Sequence, residues 1–213
     1  SDYQLLKEFT ENSSHEFQTP IAIIQGKLEN MLEENNLSQS QMNSLIEMQS
    51  TLSRLSKMTT SLSLLTKIEN HEFNNTEKLN LSVILRALLK EYEELLILKK
   101  ITLSMDLAKD IEISGDRVLV QIMLTNLITN AIRHNIESGK INLTLSSNTF
   151  VIWNSGPPTD VNPCDLFNRF EKSNQHINSL GLGLSIVKKI VENYNYNISY
   201  QVEEDRHILT LKF

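Results

Sequence analysis

The chain predicts an α+β fold in two parts, a helical hairpin followed by a helical layer on a mixed, largely antiparallel sheet. Three observations carry that prediction. Between Lys27 and Ser114 there is neither glycine nor proline, whereas five of the six glycines lie from Gly115 onward. These residues punctuate turns, so long helices come first and shaped loops later. Apolar residues of the first segment recur at intervals of three and four, the period of one helix face. Beyond the hairpin, helical stretches interleave with short strand-like runs in no regular βαβ rhythm.

In the first helix the stripe is Leu5, Phe9, Phe17, Ile21, Ile24, Leu28 and Met31. The polar run EENNLSQSQ (33–41) interrupts it, and Ser38 and Gln41 have the spacing of a capping box for a second helix. Leu45, Met48, Leu52, Leu55, Met58, Leu62 and Leu65 then repeat at threes and fours. Two helices with a short joint make an antiparallel hairpin, which alone covers only part of its apolar stripe. Pairing with a second copy into a dimeric four-helix bundle completes it; packing of the stripe on the C-terminal part is the alternative.

The polar stretch NHEFNNTEK (70–78) breaks the pattern and reads as a linker, giving domains 1–72 and 73–213. After it, LNLS (79–82) reads as a short strand and Val83 to Lys99 as a helix. ITLSMDL (101–107) and IEIS (111–114) read as strands. Asp116 caps a helix from Arg117 to about Arg133. INLTLS and FVIW are strands, Leu184 to Tyr194 is helical, and NISYQV with HILTLKF closes as a hairpin.

Composition excludes several classes. A net charge of -6 argues against a nucleic-acid-binding surface. The single cysteine, Cys164, cannot form an internal disulfide, and no Cys/His cluster has zinc spacing, so a reducing cytosol is the default. The longest apolar runs, such as LLIL (95–98), are far short of a membrane span. The N-terminal SDYQLLKEFTENSS lacks the basic start and apolar stretch of a signal peptide. Because the chain opens inside a helix, it reads as a fragment excised from a longer protein.

The segment SSHEFQTP (13–20) is the most informative piece. Its polar residues place His15 on the solvent face of the first helix, Glu16 follows at once, and Pro20 interrupts the backbone bonding beside them. A partly neutral imidazole can attack phosphorus, provided a neighbouring carboxylate orients the ring and takes its second proton. Thr19, one turn on, is placed to hold a water for the reverse hydrolysis. A His-Glu pair alone is far more often an incidental surface pair.

Further along, Asn126, Asn130 and Arg133 are spaced by four and three and share a helix face. Asparagines among isoleucines and leucines need a reason. An internal hydrogen-bond network is one; an oxygen ligand for magnesium beside a cation for phosphate is the other. VIWNSGPP (151–158) ends an apolar strand in a turn, and DLFNRFEK (165–172) offers Phe167 and Phe170 for packing. Gly181 and Gly183 in LGLGLSIVKKIVENY (180–194) open a helix, whose free N–H groups favour phosphate.

Taken together, in this order, the motifs resemble those of sensor histidine kinases. SSHEFQTPIAII is similar to the family's phosphoacceptor box, commonly SHELRTPL, with Phe17 and Gln18 departing from Leu and Arg. That resemblance implies His15 as phosphoacceptor, Glu16 as the adjacent acid and Thr19 as the residue tied to phosphatase activity. By the N-box match, Asn130 coordinates the Mg²⁺ that bridges the ATP phosphates, Asn126 lines their path, Arg133 contacts phosphate and His134 flanks the nucleotide. VIWNSGPP resembles the first glycine box, usually DxGxG, with Asn154 in place of Asp, Gly156 retained and Pro158 replacing the second glycine. Gly181, Leu182, Gly183 and Leu184 match the second glycine box, and SNQHINS (173–179) is an unusually short lid.

The resemblance covers nearly the whole chain. It implies a dimerisation and phosphotransfer hairpin, then an α/β sandwich of the type shared with gyrase B and MutL ATPases. Function follows as ATP-dependent autophosphorylation of His15 and transfer to an aspartate of a response-regulator receiver domain. A degenerate kinase that binds a regulator, or only dephosphorylates it, is the alternative suggested by Asn154 and Pro158.

Overall fold

A computed structural model describes residues 2–34, 36–158, 161–169 and 180–213, with side chains from Phe17 onward. The chain divides into two compact units, Ser1–Asn70 and His71–Phe213.

The first unit is the hairpin. Helix α1 (Asp2–Leu32) runs unbroken through Pro20, and α2 (Gln39–Glu69) packs against it. The capping box forms as the spacing predicts: Gln41 N–H donates to Ser38 Oγ at 3.3 Å, and Ser38 N–H donates to Gln41 Oε1 at 2.9 Å. Two helices meeting along one line cover only part of an apolar stripe. Ile21, Leu28, Leu45, Leu65 and Ile68 are buried, whereas Phe17 (57% exposed), Ile24, Met31, Met48 and Leu55 are not. Among the described residues, no helix is long and apolar enough to cross a membrane.

The second unit begins with β1 (Thr76–Asn80), three residues earlier than the sequence suggests. Only Leu79 of β1 is buried, so no period-two pattern announces it. This strand pairs antiparallel with β3 (Glu112–Asp116) as a separate two-stranded sheet. The Asn80 side chain accepts from Val83 N–H at 3.1 Å, which starts α3 (Leu81–Glu91) and takes Leu81 and Ser82 into the helix.

The helix expected over Val83–Lys99 is two helices. It stops at Tyr92 and resumes as α4 (Glu93–Leu98). The run Glu91-Tyr92-Glu93-Glu94 offers no aliphatic residue three or four beyond Leu89, so the buried stripe lapses there.

Strands β2 (Thr102–Leu107), β4 (Lys140–Leu145), β5 (Thr149–Ser155), β6 (Asn197–Glu203) and β7 (Arg206–Lys212) form one sheet in the order β2-β4-β5-β7-β6. Only β2 and β4 pair in parallel, so the sheet is mixed and largely antiparallel. Ile141, Leu143, Phe150, Ile152, Leu209 and Leu211 supply its buried face.

The helical layer comprises α3, α5 (Arg117–Arg133) and α6 (Gly183–Asn193). Asp116 caps α5, one carboxylate oxygen accepting from Val118 N–H at 2.8 Å and Leu119 N–H at 3.4 Å. Asp116 N–H itself donates to Tyr194 Oη at 2.8 Å, tying the start of α5 to the end of α6. Burial pushes the Tyr194 phenol up, keeping it a neutral acceptor for that bond. A short 3₁₀ turn (Asp165–Phe167) buries Phe167 near α6.

Candidate active site

One face of α5 is apolar throughout: Leu119, Val120, Met123, Leu124, Leu127 and Ile128 are almost fully buried. Asn126, Asn130 and Arg133 therefore share the remaining face. The sequence suggests buried asparagines; both are half-buried instead, because that face opens toward solvent rather than into the core. Asn126 Nδ2 donates to the Ile122 carbonyl at 2.8 Å, which fixes the side chain and leaves Oδ1 as its free end. The Asn130 side chain takes no hydrogen bond among the described residues, and exposed Arg133 takes no acidic partner there.

The N-terminus of α6 lies against this face. A Cβ added at Gly183 would stand 2.9 Å from Asn126 Oδ1, so glycine is what lets the two elements approach. Gly181 has φ 66°, the left-handed region, which sharpens the turn into the helix. Leu182 precedes α6 without offering a side-chain cap. Its carbonyl accepts from Ile186 N–H at 3.0 Å, and the amides of Gly183 and Leu184 have no acceptor among the described residues. Leu182 and Leu184 are buried and anchor the turn.

The other end of the site is the C-terminus of β5. Asn154 is 2% exposed, and both its amide protons are engaged: Nδ2 donates to the His134 carbonyl at 3.3 Å and the Ser155 carbonyl at 2.9 Å. What Asn154 keeps for a ligand is Oδ1, an acceptor; donation to a ring nitrogen, chemically open to an asparagine, is already committed to the backbone. His134 terminates α5, its N–H donating to the Asn130 carbonyl at 2.9 Å. Gly156 N–H donates to the Asp205 carbonyl at 2.9 Å. A continuous chain of contacts thus runs from Asn154 through His134, Asn130 and Asn126 to Gly183. Acceptor, cation, amide donors and a hard oxygen line one path.

His15 and Glu16 belong to α1, but their side chains lie outside the described residues, as do Phe170 and the lid stretch 173–179. Thr19 is exposed on α1, one turn after His15. Among the described residues no group of three His, Cys, Asp or Glu side chains that could hold a metal ion occurs.

Sequence reasoning missed His207. It lies on β7, opposite Asn154 in register, and is 7% exposed. The available signal was its phase: His207, Leu209 and Leu211 alternate on the core face.

Comparison with known proteins agrees. The family model of the His Kinase A (phospho-acceptor) domain matches residues 5–71. That of the histidine kinase-, DNA gyrase B-, and HSP90-like ATPase matches residues 115–212. Sensor histidine kinase HprS of Escherichia coli (strain K12) is 32% identical over 213 residues, 93% of this chain and 45% of its own length. Heme sensor protein HssS of Staphylococcus aureus (strain MSSA476) is 30% identical over 205 residues, 92% of this chain and 44% of that protein. The chain therefore spans less than half the length of these relatives. The solved structure of Acinetobacter baumannii histidine kinase AdeS is similar with a TM-score of 0.63 at 26% identity, covering 93% of this chain and 96% of that one. With a phosphoacceptor hairpin ahead of an ATPase domain of this type, the chain belongs to the sensor histidine kinases of two-component systems.

Proposed function

We propose that this chain autophosphorylates His15 from MgATP and passes the phosphoryl group to an aspartate of a response-regulator receiver domain. The observation that carries the reading is the contact of Asn126 with the uncapped N-terminus of α6 at Gly183, which juxtaposes amide donors, an asparagine face and Arg133. In this reading the adenine amino group donates to Asn154 Oδ1, with His134 flanking the base. The phosphates lie toward Arg133, Asn126 and the Gly181–Leu184 turn. Asn130, whose amide oxygen takes no hydrogen bond among the described residues, suits a magnesium ion held mainly by phosphate oxygens and water. When bound, that ion offsets charge on the transferring group.

His15 Nε2 attacks the γ-phosphorus, the bond to the ADP oxygen breaks, and Glu16 accepts the Nδ1 proton. Thr19 serves the reverse role by positioning water against a phosphorylated partner. The exposed stripe of Phe17, Ile24, Met31, Met48 and Leu55 favours a homodimer through a four-helix bundle. We place the chain as the cytoplasmic portion of a membrane-anchored sensor.

The test is incubation with γ-labelled ATP and Mg²⁺. Label should appear on the chain as an acid-labile, alkali-stable phosphoramidate mapping to His15. A chain that binds an ATP analogue yet never labels would favour the regulator-binding or phosphatase-only reading, which Pro158 in the first glycine turn supports. Gly183→Ala separates fold from site. Alanine is the better helix former, so stability should change by less than about 1 kcal/mol. The added methyl displaces Asn126 Oδ1, and affinity for the analogue should fall severalfold in a calorimetric titration.

A further inference from the structure

His207 makes two short hydrogen bonds and touches a glycine of the proposed base pocket. Its Nε2 lies 2.7 Å from the Pro157 carbonyl, and its Nδ1 lies 2.6 Å from Tyr200 Oη. A carbonyl only accepts, so Nε2 carries the proton; in the neutral ring Nδ1 then accepts from the Tyr200 hydroxyl. Burial holds the Tyr200 phenol protonated well above its ordinary range, which keeps that donor in place. The ring stacks on Tyr200 with centroids 5.9 Å apart. Its other side meets Gly156, where an added Cβ would lie 2.5 Å from His207 Cδ2 and 2.7 Å from Nε2.

The turn that follows Asn154 has unusual need of such a support. Pro157 and Pro158 have no amide N–H, so the turn cannot secure itself by donating from those positions. Its ties come from outside: Gly156 N–H to the Asp205 carbonyl at 2.9 Å, and His207 Nε2–H to the Pro157 carbonyl. Both partners flank the start of β7. We propose that His207 is a positioning residue for nucleotide recognition: through the Pro157 carbonyl it holds the Gly156–Pro157 turn, and thereby sets Asn154 Oδ1 against the adenine amino group. It acts from behind the pocket and touches no part of the ligand.

This inference rests on the nucleotide reading above, and the experiment separates the two. The full chain is titrated with non-hydrolysable ATP and GTP analogues in the presence of Mg²⁺, alongside thermal unfolding, for the unmutated protein and three variants. His207→Gln places an amide donor where Nε2 stood, and should bind the ATP analogue within about twofold of the unmutated chain. His207→Asn reaches only as far as Nδ1, keeps the Tyr200 side and loses the Pro157 bond. It should bind about tenfold more weakly, the worth of one buried hydrogen bond and its unpaired acceptor. Its preference for the adenine over the guanine analogue should shrink with it. His207→Phe should behave as His207→Asn where it folds.

Unchanged affinity and base preference in folded His207→Asn overturn the inference while leaving the nucleotide reading intact. Unfolding of both His207→Asn and His207→Gln makes the residue core packing and overturns it as well. Absence of analogue binding by the unmutated chain overturns the nucleotide reading, and the inference with it.

Discussion

Replacing His15 with alanine is expected to abolish label incorporation from γ-labelled ATP. The proposed nucleophile is removed, and no other histidine of the chain shares its setting: His134, His176 and His207 are not followed by an acid, and His71, which precedes Glu72, has Asn75 rather than a threonine one turn on. The hairpin should survive, because alanine is the best helix former and the position is in the interior of α1. Affinity for an ATP analogue should be unchanged, since Asn126, Asn130, Asn154 and Gly183 all belong to the second unit. Loss of label with retained binding is thus the expected pair of results, and persistent labelling of His15→Ala would remove that residue from the mechanism. Mixing His15→Ala chains with Asn130→Ala chains extends the test. Recovery of label in the mixture means phosphorylation across a dimer, and its absence, with each parent inactive, means phosphorylation within one chain.

Gly156→Ala should damage both fold and binding. Unlike Gly183, whose neighbour is the end of one side chain, Gly156 is hemmed in by groups that cannot retreat. The new methyl would meet the His207 ring at 2.5 Å and the His134 carbonyl at 2.9 Å. The ring is held at both nitrogens, and the carbonyl is backbone that also accepts from Asn154 Nδ2. Overpacking of this kind costs about 1–3 kcal/mol. It should lower the thermal midpoint by several degrees. Relief by moving the His134 carbonyl would detach Asn154 from its anchor, so analogue affinity should fall by about tenfold or more. A variant with the midpoint and affinity of the unmutated chain would show that the turn is not packed as described.

Much of the architecture was legible because its signals are local. The capping box at Ser38 and Gln41, the N-cap at Asp116 and the glycine-led start of α6 each depend on residues within one turn of each other. Their chemistry is complete in the sequence. The β1–β3 pair was less legible, since Leu79 is the only residue of β1 that the core claims. A strand with a single buried side chain has no alternation to detect. The break at Tyr92 is hidden for a related reason: helical propensity continues through Glu91–Glu94, but the stripe that would make one helix worth burying does not.

The motif residues of the site were likewise readable, while their relations were not. Spacing alone put Asn126, Asn130 and Arg133 on one face of α5. It could not say that the face opens toward solvent, or that Asn126 meets Gly183, fifty-odd residues further along the chain. Asn154 shows the division most clearly. As a residue type it offers both donor and acceptor, and the sequence leaves that choice open; the fold closes it by spending both protons on the carbonyls of His134 and Ser155. What the sequence determined by itself was the set of groups and their order, because helix period, capping and turn chemistry act over a few residues. What only the tertiary structure decided was which of those groups stay free and what braces them, His207 above all, because buried hydrogen bonds are made between strands and helices that lie far apart in the chain.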